Sequence, residues 1–333
     1  MRASLASFCL GCLMSAGCCH LRVGDHAAPA QPLPKALATG FGYSKTYFPE
    51  AKETNLKRRS RYDIQCVEMA ALPDRFDTNR TVTLEYYAPH AEGKKPVVIV
   101  LPISGGGYAL ERHVSAYFAK RAWAAVIVHR RKLPREPANG EELDAVLRQS
   151  VIDVRRAIDW AETRPELDAS KVGVFGVSMG AIKAAILAPV DSRVRAAVLG
   201  MPGGDIPFIL RHTTESGIAR RRKAMLKEYG LQPEELEATF RTGFRCDPNT
   251  LAPYAPRENV LLALARCDRV VPIRKGRELR EKMGRPETIF LPTGHYTALF
   301  CLPYVQRQAF KFFRQRFYPG RAKAEPPPAR SLR

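Results

Sequence analysis

The sequence predicts an α/β fold in which a mostly parallel sheet carries helices on both faces. Continuous apolar runs such as Val97–Leu101 are typical of strands that are covered on both faces. Amphipathic helical stretches alternate with these runs, which favours parallel strands joined by crossover helices. The chain has 333 residues, 45% of them hydrophobic, and is therefore long enough for one large domain.

The sheet is expected to open with an antiparallel hairpin. Residues 61–72 and 80–88 alternate polar and apolar side chains, as half-buried strands do. The elements predicted next are a strand at 97–101, a helix at 111–121, a strand at 123–128 and a long amphipathic helix at 141–163. These elements supply the first half of the sheet.

The segment Gly176-Val177-Ser178-Met179-Gly180 lies where a predicted strand, 172–177, runs into a predicted helix, 181–187. It matches the G-x-S-x-G pattern of a nucleophile elbow, a sharp turn that exposes a serine hydroxyl. The turn crowds the backbone, so glycine is needed where a Cβ would clash. The helix that follows directs its free N–H groups at an oxyanion formed there.

After a strand at 196–199 the regular alternation stops. Residues 201–256 contain two helix-like pieces, 215–229 and 233–242, and are too long for a simple connection, which predicts an inserted helical cap. The sheet then resumes with a strand at 260–265, a helix at 274–283, a strand at 288–291 and a closing helix at 304–316.

Two further side chains have the chemistry that a serine nucleophile needs. A serine hydroxyl is weakly nucleophilic at neutral pH and needs a base, which in turn needs an orienting acid. Asp268 follows the strand at 260–265, and His295 follows the last strand. The order Ser, Asp, His is that of α/β-hydrolases. Taken singly, Asp268 is equally compatible with a helix cap and His295 with a core histidine.

In these motifs the chain resembles the α/β-hydrolase superfamily over residues 96–316, and most closely its dienelactone-hydrolase, acyl-esterase and prolyl-oligopeptidase-like branch. The resemblance rests on the G-G-G loop, residues 153–160, G-V-S-M-G, C-D-R-V-V-P and G-H-Y. It implies that Ser178 is the nucleophile, Asp268 the orienting acid and His295 the general base, with no metal or organic cofactor. Dienelactone hydrolases carry a cysteine in the elbow, so Ser178 argues against that particular activity.

The oxyanion hole is expected to combine the Met179 amide with an amide of the glycine run 105–107. Gly106 and Gly107 are the expected donors, with Tyr108 as an alternative. Ser104 stands where the esterase pattern H-G-G-G has histidine, so the register of the donor stays open.

The two ends of the chain have the composition of segments outside the folded domain. Residues 1–19 have an arginine, an apolar run and small residues before Cys18, which predicts a signal peptide and, by its resemblance to bacterial lipoprotein signals, lipidation of Cys18. Residues 20–60 are interpreted as a tether and extension, 61–320 as the hydrolase domain and 321–333 as a disordered tail. The expected location is the cell envelope, as a membrane-anchored lipoprotein or in the periplasm.

The formal charge of +20 has two interpretations: attraction to an anionic membrane surface, or a generally basic surface. No nucleic-acid-binding motif accompanies it. Beyond the signal region, the cysteines at 66, 246, 267 and 301 are too widely spaced for a zinc site; three disulfide pairings or free thiols all remain open. The oligomeric state is not predicted.

The function expected is hydrolysis of a small-molecule or lipid-like carboxylic ester, because the cap contains many apolar residues. A peptidase or amidase of the same fold, or a catalytically silent envelope protein that binds a partner, are the alternatives. The basic run at 220–223 suits either an anionic substrate or a solvated helix face.

Overall fold

The computed structural model describes residues 20–22, 30–45, 51–77, 80–131, 133 and 135–321. Its centre is a ten-stranded sheet with the order β1-β10-β9-β8-β7-β5-β6-β4-β3-β2. The strands are β1 His20–Arg22, β2 Lys52–Arg58, β3 Tyr62–Ala70, β4 Thr81–Pro89, β5 Lys95–Leu101, β6 Ala124–Val128, β7 Leu167–Val177, β8 Val194–Gly200, β9 Val260–Ala265 and β10 Glu287–Leu291.

Six neighbouring strands, from β10 to β6, are parallel, and antiparallel strands complete the sheet at both ends. Strands β3 and β4 form the predicted hairpin, with Tyr62 opposite Pro89 and Ala70 opposite Thr81. The predicted fold class is therefore confirmed. The parallel strands place their carboxyl ends at one rim, which is where α/β proteins bind ligands.

Helices cover both faces of the sheet. They are α1 Lys35–Thr39, α2 Ala109–Ala119, α3 Gly140–Glu162, α4 Met179–Val190, α5 Ile206–His212, α6 Ser216–Tyr229, α7 Pro233–Arg241, α8 Pro248–Leu251, α9 Ile273–Lys282 and α10 Leu302–Phe317. Alternate residues of β5 enter different cores: Val97 and Ile99 pack with α3 and α4, whereas Val98 and Val100 pack with α2 and α10. This alternation explains why the strand is apolar at every position.

The cap contains more helix than the sequence predicted. Besides α6 and α7, which match the two expected pieces, α5 and α8 lie between β8 and β9. Both are too short to show helical periodicity. The Asp247 carboxylate accepts hydrogen bonds from the backbone N–H groups of Asp205 (2.8 Å) and Ile206 (2.7 Å), about forty residues earlier. The capping residue of α5 is distant in sequence, so the start of this helix is not predictable from the neighbouring residues.

Two sets of predictions fall outside the described residues: the signal peptide with Cys18, and residues 322–333 of the tail. The extension at 20–60 contributes β1 and β2 to opposite ends of the sheet and α1 to its surroundings. Within the described ranges, no helix has both the length and the apolar character needed to cross a bilayer.

Candidate active site

Ser178 occupies the turn between β7 and α4 with a φ of +54° and a ψ of −119°, a strained conformation for a residue with a side chain. Its N–H donates to the Gly200 carbonyl at 2.8 Å. A Cβ built on Gly176 would overlap the Gly180 carbonyl, and a Cβ on Gly180 would overlap the Leu101 carbonyl. Both glycines of the pattern are therefore required by the close approach of β7, α4 and β5.

The structure brings Ser178, His295 and Asp268 into one hydrogen-bonded row. His295 Nε2 lies 3.1 Å from Ser178 Oγ, and His295 Nδ1 lies 2.7 Å from Asp268 Oδ2. Asp268 Oδ1 accepts two further hydrogen bonds, from the N–H groups of Val270 and Val271, each at 2.9 Å. These two bonds fix the carboxylate, which in turn orients the imidazole.

Backbone hydrogen bonds join the two loops that carry the acid and the histidine. The N–H of Arg266 donates to the Leu291 carbonyl, and the N–H of Cys267 donates to the Thr293 carbonyl, both at 2.9 Å. Residues 27 positions apart in sequence are thus held in contact by the parallel pairing of β9 and β10.

The Asp268 end of the row is buried, whereas the Ser178 end faces a cavity. Asp268 is 5% exposed and Ser178 is 9% exposed. A cavity of about 500 Å³, within the size range of small-molecule sites, reaches Ser178 and His295. Its walls are mainly apolar and include Phe175, Leu291 and Val305. The arrangement is able to place an apolar substrate against the serine hydroxyl.

The residues predicted for the oxyanion hole lie close to this site. Met179 is the first residue of α4, so its N–H has no acceptor within the helix. Gly106, with a φ of +81°, lines the Ser178 cavity, as do Ser104 and Gly105. Among the described residues that line this cavity, Gly107 does not appear. The choice of donors stays a prediction.

Arg130 holds the glycine loop and was not singled out from the sequence. Its guanidinium donates to the carbonyls of Ile103 (3.2 Å), Gly105 (3.0 Å) and Gly106. It also lies over the Tyr108 ring, 4.2 Å from the centroid. The available signal was its position directly after β6, at the rim where the other site residues lie.

Further contacts hold both ends of this glycine loop. The buried carboxylate of Glu111 accepts a hydrogen bond from the Ile103 N–H at 2.9 Å, so this amide is not free for an oxyanion. The Tyr108 ring stacks on His129 at 4.4 Å. His129 in turn lies 3.7 Å from Glu85.

Glu85 links this network to the sheet. Burial raises its pKa, but the nearby His129 ring and the hydrogen bonds from Arg112 and Tyr87 outweigh that effect and lower the pKa of Glu85 to about 2. The Arg112 guanidinium is 2.9 Å from the carboxylate, and the Tyr87 hydroxyl is 2.7 Å from it. The carboxylate is consequently ionised throughout the neutral range.

In the ranges that the structure describes, no group of three or more His, Cys, Asp or Glu side chains is arranged to hold a metal ion. Cys66, Cys246 and Cys267 are free thiols. Cys267 is exposed next to Asp268 but is not the residue at the elbow.

The described residues have the α/β-hydrolase fold. Residues 84–218 match the model of the dienelactone hydrolase family. The matched segment is less than half of the chain; it contains Ser178 and ends before Asp268 and His295.

Two curated proteins of Mycobacterium tuberculosis, both described as uncharacterised, are 26% identical to this chain over 148 residues. The similar stretch covers 44% of this chain and 33% of the length of those relatives.

Solved structures share the fold at lower identity. The acetyl xylan esterase from Paenibacillus sp. R4 is 18% identical, with a TM-score of 0.61 over 82% of this chain and 91% of that one. Acetyl xylan esterase 1 from Thermoanaerobacterium sp. JW/SL YS485 is 17% identical, with a TM-score of 0.61 over 84% and 95%. A glucuronoyl esterase from Teredinibacter turnerae T7901 is 12% identical, with a TM-score of 0.51 over 83% of both.

Replacing Gly180 by alanine is expected to destabilise the fold by about 1–3 kcal/mol, because the added Cβ meets the Leu101 backbone, which cannot move aside like a side chain. Urea unfolding followed by circular dichroism measures this. Gly320→Ala is the control, because a Cβ there has no neighbour within 4 Å. Equal stability of the two variants would contradict the close approach at the elbow.

Replacing Glu85 by glutamine is expected to lower the free energy of unfolding by about 2 kcal/mol at pH 7, because charge-assisted hydrogen bonds are lost. The folded-state pKa lies below the ordinary value of about 4.3, so the contribution is present above that value and disappears as the pH falls towards 2. Urea unfolding between pH 7 and pH 3 measures the deficit, with exposed Glu92→Gln as control. A stability deficit that stays the same between pH 7 and pH 3 would show that the pKa of Glu85 is not lowered by folding.

Proposed function

We propose that the protein hydrolyses carboxylic esters through Ser178, His295 and Asp268. The observation that carries this proposal is the row of two hydrogen bonds, 3.1 Å and 2.7 Å long, beside an apolar cavity. Such a row supplies what a serine nucleophile lacks at neutral pH: a base in hydrogen-bond contact and an acid that orients the base.

In the proposed mechanism, the Ser178 hydroxyl attacks the ester carbonyl carbon while His295 Nε2 takes its proton. Asp268 stabilises the imidazolium that forms. The tetrahedral oxyanion accepts hydrogen bonds from Met179 and from Gly106 or Gly107. His295 then gives its proton to the leaving alcohol, and the carbonyl re-forms as an acyl-serine. Water, activated by the same imidazole, releases the carboxylic acid and restores Ser178.

An ester is favoured over a peptide by the surroundings of the serine. The cavity walls are mainly apolar, and its volume of about 500 Å³ suits a small acyl or alcohol group better than a long peptide. The names of the two acetyl xylan esterases and the glucuronoyl esterase that share the fold also favour ester chemistry.

We also propose that residues 1–19 direct export to the cell envelope, with Cys18 as a lipidation site and 61–320 as the exported enzyme domain. The motif Ala16-Gly17-Cys18 supports this proposal. Metabolic labelling with a fatty-acid analogue is expected to label the wild-type chain and not Cys18→Ala. Labelling of both, or of neither, would refute lipidation at Cys18.

The wild type is expected to hydrolyse short p-nitrophenyl esters, and Ser178→Ala is expected to lose at least about 10⁴-fold in kcat, because the nucleophile is absent. Stopped assays with p-nitrophenyl esters and matched aminoacyl anilides measure both activities. Ser170→Ala, at the other end of β7, is the control. Faster cleavage of anilides would favour a peptidase, and absence of any hydrolysis would favour a binding protein.

Replacing Asp268 by asparagine is expected to lower kcat by about 10⁴-fold with little change in fold, because the amide no longer holds the imidazole in the productive tautomer. Steady-state kinetics and circular dichroism measure the two effects. The Asp168→Asn change, at the start of β7 and away from the site, serves as a size-matched control. Near-normal kcat in Asp268→Asn would remove Asp268 from the mechanism.

A further inference from the structure

A second cavity lies beneath the cap, directly beside the Ser178 cavity. Its volume is about 530 Å³. The two cavities share Ser104, Gly105 and Glu215 in their walls, and Met179, the residue after the nucleophile, lines the second one. They are therefore neighbouring chambers of one cleft, and a substrate in the first chamber is able to extend into the second.

The wall of the second chamber is largely apolar and carries more basic than acidic side chains. The basic side chains in its wall are Arg130, Arg131, Lys183, Arg211, Arg221 and Arg222, against the carboxylates of Glu136, Glu215 and Glu237. Two of these carboxylates already have partners, because Glu215 caps α6 through the Ile218 N–H at 2.7 Å and Glu237 pairs with Arg211 and Arg241. The surplus of positive charge inside a recess favours an anionic ligand.

Most of these cations have structural partners. Arg130 binds carbonyls of the glycine loop, and Arg222 binds the carbonyls of Leu210 (2.8 Å) and Thr213 (3.2 Å). Arg211 pairs with Glu237 at 3.1 Å. Arg131 is held by Asp74 at 2.7 Å. These side chains set the positive potential of the chamber but are not free to bind a ligand with their whole guanidinium groups.

Among the described residues, Lys183 and Arg221 are held by no carboxylate or carbonyl, whereas Arg131, which also has buried nitrogens without a hydrogen-bond partner, is held by Asp74. Within the described part of the chain, the Lys183 ammonium has no hydrogen bond or ion pair, although it sits on α4 in the chamber wall. Arg221 Nε is buried without a hydrogen-bond partner. Burial lowers the pKa of Lys183 to about 8, with Asp153 opposing and Arg130 reinforcing the change, so the amine is still mostly charged at pH 7. The Lys183 and Arg221 side chains are both half-buried, and an unpaired cation that is partly withdrawn from water is costly unless a ligand supplies the counter-charge.

The position of Lys183 relates the chamber to the reaction. It follows Ser178 by five residues on the same helix, so the two Cα atoms are separated by about 7.5 Å along the helix axis. In the basic run at 220–223, Arg221 and Arg222 are half-buried in the chamber wall, whereas Arg220 and Lys223 are exposed. One side of this run is therefore turned inward, and the other is the solvated face.

We propose that Lys183, assisted by Arg221, binds a carboxylate of the substrate, so that the preferred ester carries a negative charge a short carbon chain away from the scissile carbonyl. The proposal rests on the proposed ester hydrolysis at Ser178. Lys183 acts as a specificity residue, and the cleaved bond remains in the neighbouring chamber.

The kinetic test compares p-nitrophenyl butyrate with the p-nitrophenyl monoester of glutaric acid, which adds a terminal carboxylate. The ratio of kcat/KM for the charged over the neutral ester is expected to exceed 10 in the wild type and to fall at least tenfold in Lys183→Met and in Arg221→Met. Lys223→Met, on the exposed side of α6, is the control and keeps the wild-type ratio. A wild-type ratio near or below 1, or a ratio unchanged in Lys183→Met, overturns the proposal.

A binding measurement separates this proposal from the proposed function. Titration calorimetry with glutarate at fixed ionic strength is expected to show binding to the wild type and Lys223→Met and a loss of at least tenfold in affinity in Lys183→Met. Binding with no ester hydrolysis would refute the proposed function and uphold the anion site. Ester hydrolysis by the wild type, together with an unchanged glutarate affinity in Lys183→Met, would uphold the proposed function and refute the anion site.

Discussion

The close approach of three backbone segments at the elbow is the constraint on which the site depends. Strand β7, helix α4 and strand β5 come so near that Gly176 and Gly180 have no room for a side chain. This crowding keeps Ser178 at a positive φ. The conformation is strained, and the surrounding parallel strands hold the residue in it. A relaxed turn would withdraw the hydroxyl from the rim where His295 and the glycine loop lie.

Parallel strand pairing extends this constraint to the other site residues. The loops after β9 and β10 are joined by backbone hydrogen bonds, which bring Asp268 and His295 together. Arg130, at the end of β6, binds carbonyls of the loop after β5. Each contribution comes from the carboxyl end of a strand, so the order of strands in the sheet decides which side chains meet.

Much of the fold and of the candidate site was predictable from the sequence, because apolar runs mark where the strands end. The elbow, the order Ser178, Asp268, His295 and the layered sheet all follow from local patterns that repeat at known spacing. Helix α5 was not predictable, because Asp247 caps it from about forty residues away. Nothing in the local sequence distinguishes Lys183 from other helical lysines, because its chamber forms only when α4 and the cap helices line the same cavity. The N-terminal signal rests on sequence alone.

We propose that His295 and Asp268 make Ser178 the reactive nucleophile of the chain. Mass-spectrometric mapping of the protein after reaction with a fluorophosphonate tests it most directly, because the reagent phosphonylates an activated serine and reports its position. One modified peptide, containing residue 178, is expected in the wild type, and no modification is expected when His295 is replaced by alanine. An adduct on a different serine, or an unmodified chain that still hydrolyses esters, would contradict it.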